Sequence, residues 1–324
     1  MKVGVYYNNK DIRVEEKPIP KISEGEILMK TRACGICGTD LLEWYRIKKA
    51  PLILGHEATG EIIESRSENY KVGQRIFASH HIPCNKCHYC LNGHHTSCET
   101  LHQTNYDPGG FSEYIRLSRM NVEFGIYSLP DGISYDVGSL IEPLACVIRA
   151  QNLAKIWERQ TLLVIGCGVS GLLNVTLGKI RGLYTIGVDL NEYRLKKAEE
   201  FGADLVFKGN KEKILADCVI LCSGNPEAID MAFSSIDKGG VIVFFAVPSP
   251  SLQIPFPISN LWRQEITMVT SYGAGPRDLQ EALRLIKKID AESMITHRFP
   301  LEKIQEGFSV VEEQKESMKV VIVL

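Results

Sequence analysis

No apolar run in this 324-residue chain is long enough to span a bilayer. The segment Met1 to Lys10 is polar and tyrosine-containing, without the basic-then-apolar layout of a secretion signal. Neither charge sign is in excess. Lys and Arg number 37 against 39 Asp and Glu, a formal net charge of −2. Nucleic acids and anionic membranes both select for a basic surplus, so neither is an expected partner. Internal repeats and low-complexity linkers are also missing. What remains is the ordinary balance of a soluble globular protein, 44% hydrophobic and 23% charged, expected in the cytoplasm. The length exceeds what one small core organises, so two domains are expected.

Cysteine is not scarce, at ten residues. In a cytoplasmic chain these are ligands or small buried hydrophobes rather than disulfides. Cys84, Cys87, Cys90 and Cys98 follow the spacing C-x2-C-x2-C-x7-C. Four thiolates this close reach one ion, and an all-thiolate tetrahedral set with no open position is a structural zinc site. Iron–sulfur runs share the two-residue gaps, but the seven-residue last gap favours zinc. Such a site ties down a loop that lacks its own core. Cys34, Cys146, Cys167, Cys218 and Cys222 carry no spacing signal and read as buried and inert. His80, His81, His88, His94, His95 and His102 crowd the same region. Four thiolates already saturate a zinc ion, so most of these histidines read as surface or supporting residues.

The chain before about Pro130 is irregular, with short β-rich runs at Glu26–Thr31 and Gly60–Glu64 between Gly and Pro turns, which predicts a loop-rich β domain. From about Thr161 apolar strands alternate with helices. The strands are Leu162–Ile165, Tyr184–Val188, Asp217–Cys222, Val241–Phe245 and Ile266–Thr270. One helix spans Asn191 to Phe201, with Asn191 as N-cap and Gly202 as stop, and another spans Pro226–Ile236. This alternation predicts a parallel, doubly wound sheet. After Gly275, Leu279, Ala282, Leu283, Ile286 and Ile289 mark one helix face, and Met318 to Leu324 reads as a closing strand.

Gly166-Cys167-Gly168-Val169-Ser170-Gly171 is G-x-G-x-x-G, placed after one strand, opening a helix, and followed by a strand ending in Asp189. That context identifies a dinucleotide loop rather than a bare glycine turn. Gly166 allows the turn, Gly168 the approach of a pyrophosphate, and Gly171 close helix–strand packing. The helix start from Val169 offers N–H groups to phosphate. Asp189 is placed to accept ribose hydroxyls and repel a 2′-phosphate, which favours NAD over NADP, while Arg194 is the cation that would tolerate NADP.

Cys37-Gly38-Thr39-Asp40 and Gly55-His56-Glu57 lie upstream, and Glu142-Pro143 lies just before the nucleotide segment. A catalytic zinc needs about three protein ligands and one open position. Cys37, His56 and a carboxylate meet that need. The alternative is a buried thiol beside a hydrogen-bonded histidine.

These motifs, with Gly110-Phe111-Ser112-Glu113-Tyr114 and the glycine fingerprint, occur in the order of the zinc-containing medium-chain dehydrogenase/reductase superfamily, which the chain resembles over most of its length. It is most similar to the polyol (sorbitol-type) and threonine dehydrogenase branch, where a Glu stands in place of the second cysteine of liver-type alcohol dehydrogenases. The resemblance implies an α/β protein with a GroES-like β-rich catalytic domain over residues 1–145 and 272–324. A structural zinc lobe occupies about 80–100, and a Rossmann doubly wound parallel-sheet domain binding NAD covers 146–271. It implies Cys37 and His56 as zinc ligands, Glu57 as a ligand or exchanging partner, and Glu142 as a ligand directly or through water. Asp40 would orient a metal-binding histidine, and Thr39 would take the alcohol proton. Two Zn2+ ions per chain, one catalytic and one structural, a small alcohol or polyol substrate, and a homodimer or homotetramer joined through the nucleotide domains are implied as well.

The implied reaction moves hydride from a secondary alcohol of a polyol or sugar-derived compound to NAD, giving a ketone. Zinc lowers the cost of removing the alcohol proton, and nicotinamide does the redox work. A carboxylate in place of a thiolate makes the ion more welcoming to oxygen ligands, as a polyol supplies. L-Threonine or simple alcohol oxidation is the alternative on the same machinery. A non-catalytic nucleotide-binding zinc protein is the alternative from another class. Many relatives carry a relay histidine where this chain has Leu42, so the proton must leave by another route. Glu43 and Trp44 are expected at the edge of the substrate cleft, and Glu43 would disfavour acidic substrates if it faces inward. His81 precedes Cys84 as in threonine dehydrogenases and is a candidate substrate contact. Phe111 is either a pocket wall or a core aromatic.

Overall fold

Ile27–Gly35 is the axis of the first unit, a nine-residue strand in which only Lys30 and Arg32 are not fully buried. It is seen in a computed structural model that describes residues 1–158, 160–209 and 214–324. The chain divides into two compact units, Met1–Pro143 with Ala274–Leu324, and Leu144–Gly273.

Ile27–Gly35 serves three neighbours. On one side it pairs antiparallel with Glu57–Ser65. On the other side its first half pairs with Tyr114–Leu117 and its end pairs with the closing strand Lys319–Val323. Ile295–Pro300 extends the sheet beyond the closing strand, and Arg75–Ala78 and Ile126–Ser128 extend it beyond Glu57–Ser65. A separate sheet among the described residues pairs Lys2–Asn8 with Asp11–Glu16 and Leu52–Ile53. Helix Ile304–Glu313 packs on the closing strand and on Asp11–Glu16. Its Phe308 meets Phe111 at 5.8 Å and Tyr6 at 6.5 Å between ring centroids. Phe111 is 1% exposed, which makes it a core aromatic. Fully burying one such side chain is worth about 1.5–3 kcal/mol.

The second unit is a six-stranded sheet in which every pairing is parallel. Its spatial order is Leu205–Lys208, Tyr184–Asp189, Thr161–Ile165, Ala216–Leu221, Ile236–Phe244, Thr267–Thr270. Numbered along the chain this is 3-2-1-4-5-6, the Rossmann order, with the switch point beside its first strand. Leu205–Lys208 escapes the sequence pattern because it is short and none of its residues is fully buried. The helix after Gly275 ends at Leu285, and Ile289 falls beyond it. The single 3-10 turn Ile286–Lys288 tightens the chain before that residue, so the periodicity overran the helix. No helix of the described residues is long and apolar enough to cross a membrane.

Two glycines carry the strand-to-helix turn of this unit. Gly166 has φ +94°, a conformation L side chains avoid. A Cβ on Gly171 would overlap the carbonyl oxygen of Gly166 and stand 2.9 Å from its carbon. Gly171→Ala must therefore push the helix Val169–Ile180 off its strand. We expect a loss of about 1–3 kcal/mol of stability, read as a lower urea midpoint, together with weaker nicotinamide-nucleotide binding by fluorescence titration. An unchanged midpoint and affinity would refute the close approach.

Candidate active site

Sheet register builds this site. Gly35 stands opposite Glu57 across the strand pair, so the turn leaving one strand meets the residues entering the other. The turn carries Cys37 as the cap of a short 3-10 segment, Gly38–Leu41, with Thr39 and Asp40 inside it. The entering residues are His56 and Glu57. Cys37, His56 and Glu57 each offer a ligand atom within 4.8 Å of the others. Asp40 locks the turn by accepting the Cys37 N–H at 3.1 Å, and its other oxygen lies 3.4 Å from His56 Nδ1. With Nδ1 turned to Asp40, the second imidazole nitrogen is the one left for a metal.

Burial works against a charged His56, but the Asp40 carboxylate and the Cys37 sulfur outweigh it and raise its pKa well above the usual histidine range. Burial likewise opposes the Asp40 carboxylate, yet His56, Arg46 and the Cys37 N–H hold its pKa below normal. Arg46 donates from Nε to the Thr39 carbonyl at 3.1 Å and holds Nη2 3.7 Å from Asp40. Thr39 Oγ1 donates to Cys37 Sγ at 3.3 Å. Glu57 is 1% exposed and ion-paired with Lys319, itself 2% exposed. Glu57 Oε1 is buried without a hydrogen-bond partner. A sulfur, an imidazole and an orphaned carboxylate oxygen at this spacing fit a zinc ion with one position left open.

Cys84, Cys87, Cys90 and Cys98 also place their sulfurs within 4.8 Å of one another. The Cys87 N–H points at Cys84 Sγ at 3.3 Å, and the Cys84 N–H points at Cys98 Sγ at 3.4 Å. Burial raises Cys98, but backbone N–H groups of Cys84 and Leu101 pull it down to about 6. Apart from its cysteines, the local core holds only Leu101 as a buried member. A lobe with so little apolar interior needs the ion to hold its shape, and four thiolates fit a structural zinc.

In the second unit, Gly168 caps the twelve-residue helix Val169–Ile180, whose first turn presents backbone N–H groups. Asp189 ends the neighbouring strand, and its oxygens accept the N–H groups of Cys167 at 2.7 Å and Asn191 at 2.8 Å. Arg194 reaches the same loop, with Nη1 3.8 Å from where a Cβ on Gly168 would stand.

Residues 23–125 match the family described as alcohol dehydrogenase GroES-like domain, and residues 170–288 match zinc-binding dehydrogenase. The chain belongs to the zinc-containing medium-chain dehydrogenase/reductase superfamily. It is 29% identical to sorbitol dehydrogenase of Bacillus subtilis, over 99% of this chain and 97% of that one. It is 31% identical to L-threonine 3-dehydrogenase of Bacillus licheniformis, over 91% and 90%. Among solved structures, a zinc-binding dehydrogenase of Sinorhizobium meliloti bound to NADP superposes with a TM-score of 0.88 at 25% identity, covering 100% and 99%.

This dehydrogenase assembles three of the expected catalytic ligands. Glu142, half-buried at the start of helix Ile141–Ala154, is not among the trio. The histidines beside the cysteine lobe divide as surface and supporting residues: His88, His94 and His102 are exposed, while His80 and His81 stand behind His56. His80 is buried and His81 only partly exposed, with rings 3.7 Å apart, and His80 lies 5.0 Å from His56. Burial, then His56, His102 and Arg46, lower His81 to about 3, so it is neutral at physiological pH. Glu43 turns to the Asn9 N–H at 3.2 Å and is exposed. Of the five unassigned cysteines, Cys146 and Cys222 are half-buried rather than fully enclosed. Sequence reasoning missed Lys319. Its signal was a single cation in the apolar run Met318 to Leu324.

Zinc must displace the proton from His56, so apparent affinity at the catalytic site falls as pH drops through that group's raised pKa. Asp40→Asn removes a main cause of the rise. Zinc uptake by the variant should then begin at lower pH, while its affinity at high pH weakens by about 10–100-fold. A pH series of chelator-competition titrations reads both effects, and an unmoved onset would contradict the Asp40–His56 link.

Proposed function

We propose that this dehydrogenase oxidises a secondary alcohol of a polyol or sugar-derived compound to a ketone, with NAD as hydride acceptor. The observation that carries the reading is the Cys37, His56 and Glu57 donor set in a chain that also holds the Gly166–Gly171 loop. Zinc bound there would lower the cost of ionising the alcohol, and NAD would take the hydride from its carbon. The balance is alcohol plus NAD+ giving ketone, NADH and one proton.

The chain's own residues receive that proton. Thr39 Oγ1, beside Cys37, is the hydroxyl positioned to accept it. Leu42 closes the histidine route onward, so the proton leaves through the cofactor ribose, through water, or through Glu57 and Glu142. Asp40 keeps His56 in one tautomer. Glu142 supplies a second carboxylate whose field reaches Lys319 and Tyr106, consistent with service to the metal through water.

Asp189, fixed by two backbone N–H groups, supports NAD because its charge opposes a 2′-phosphate. The sorbitol dehydrogenase and L-galactonate-5-dehydrogenase relatives support hydroxyl-rich substrates. His81 beside His80 and His56 keeps L-threonine as the second reading. The chain has no membrane or nucleic-acid partner in this reading and works in the cytoplasm.

A homodimer or homotetramer joined through the nucleotide domains is also proposed. Thr267–Thr270 is an edge strand with Met268 39% exposed, and the preceding helix Ile258–Arg263 leaves Trp262 79% exposed. Light scattering should show an oligomer that Trp262→Glu splits. A monomeric wild type would refute this.

Reduction of NAD and NADP should be followed by absorbance across polyols, L-threonine, butanediol and simple alcohols. Polyol-dependent NADH formation is expected, lost by at least about 10²-fold in Cys37→Ala, on the scale of a removed electrostatic group. Undiminished turnover in Cys37→Ala would overturn the mechanism, and a preference for NADP would overturn the Asp189 argument.

A further inference from the structure

We propose that Lys319 is a positioning residue of the catalytic metal site, holding Glu57 as a one-oxygen, readily exchanged ligand. The inference rests on the assignment of Cys37, His56 and Glu57 as that site. Lysine is almost never fully buried unless paired, yet Lys319 is 2% exposed on the closing strand. Its Nζ donates to Glu57 Oε2 and, at 3.1 Å, to the carbonyl of Ile36, next to the ligand Cys37. The ammonium thus joins both segments that carry the donor set. Register explains how. Gly35 faces Glu57 on one side and Val321 on the other, and Lys319 shares the face of Val321 by the two-residue period.

Gly35 makes the space. A Cβ there would overlap Glu57 Oε2 and stand 2.5 Å from Lys319 Cε and 2.7 Å from Nζ. The missing side chain is the volume that the ion pair occupies. Within the pair the two carboxylate oxygens differ. Oε2 is committed to the ammonium, while Oε1 is buried with no hydrogen-bond partner. A carboxylate clamped at one oxygen cannot grip a metal with both, and the adjacent cation reduces the charge it can donate. Glu57 is thereby kept a weak ligand that leaves and returns. Without Lys319 it would bind with two oxygens and full charge.

The test compares wild type with Lys319→Gln and Lys319→Met, each alone and with Glu57→Gln. Elemental analysis gives zinc content, a chromogenic chelator gives the rate of zinc release, and the cobalt-substituted proteins give d–d absorption. Wild type should carry zinc at both sites and release the catalytic ion first. Both single variants should release that ion about tenfold more slowly, which corresponds to about 1.4 kcal/mol. Their d–d bands should weaken as coordination rises. On the Glu57→Gln background the Lys319 effect should vanish, which a merely structural lysine would not show. Should Lys319→Met fail to fold, Lys319→Gln decides, because its neutral polar side chain fills the same space while removing the charge that commits Glu57 Oε2. Zinc at the four-cysteine site alone in wild type would overturn the metal-site assignment itself. Zinc at both sites with unchanged or faster release in the variants would overturn the role of Lys319 only.

Discussion

One pair of charges removed from water, Glu57 and Lys319, governs how the first unit is put together. The partners are 262 residues apart in sequence. Leaving either buried alone would cost several kcal/mol. The closing strand therefore has one acceptable place, beside the end of Ile27–Gly35, and one acceptable register, with Val321 opposite Gly35. That placement carries the discontinuous segment Ala274–Leu324 into the unit formed by Met1–Pro143. The same contact that fixes topology lies among the metal-binding side chains.

Around this pair the charges are graded. Asp40 is fully buried between His56 and Arg46, an acid with cations on both sides. Cys37 and Glu57 would balance a divalent ion bound between them, and Lys319 tempers the second of them. His80 and His81 stay neutral because burial and neighbouring cations disfavour their protonation. A neutral imidazole pair beside a zinc site adds hydrogen-bonding capacity without repelling the ion. The four-cysteine lobe contrasts with this. Four sulfurs would saturate a zinc ion and leave no open position, so its contribution would be to shape rather than chemistry.

What could be read from the sequence followed the range of the interactions involved. The glycine loop was legible because its demands are local. Gly166 needs a positive φ and Gly171 needs contact with Gly166, both within six residues of chain. The cysteine lobe was legible for the same reason. Cys37, His56 and Glu57 were found as motifs, but their convergence depends on the pairing of Gly35 with Glu57, which no spacing rule reveals. Lys319 was legible only as a lone cation in an apolar run, and its role was not, since only the folded sheet brings it to Glu57. The histidines were legible as a group, surface or supporting, but which of them stands behind His56 was not, since only ring packing on His56 and Tyr106 selects His80. Ile289 misled because apolar periodicity continues past the point where the backbone leaves the helix.

The central claim is that one sulfur, one imidazole and one carboxylate oxygen grip a divalent ion separate from the structural one. Anomalous diffraction from crystals of the purified protein, collected on either side of the zinc absorption edge, tests it most directly. Two peaks are expected, one enclosed by Cys84, Cys87, Cys90 and Cys98, and one within bonding distance of Cys37, His56 and Glu57. A single peak at the four cysteines, in crystals of fully active protein, would contradict it.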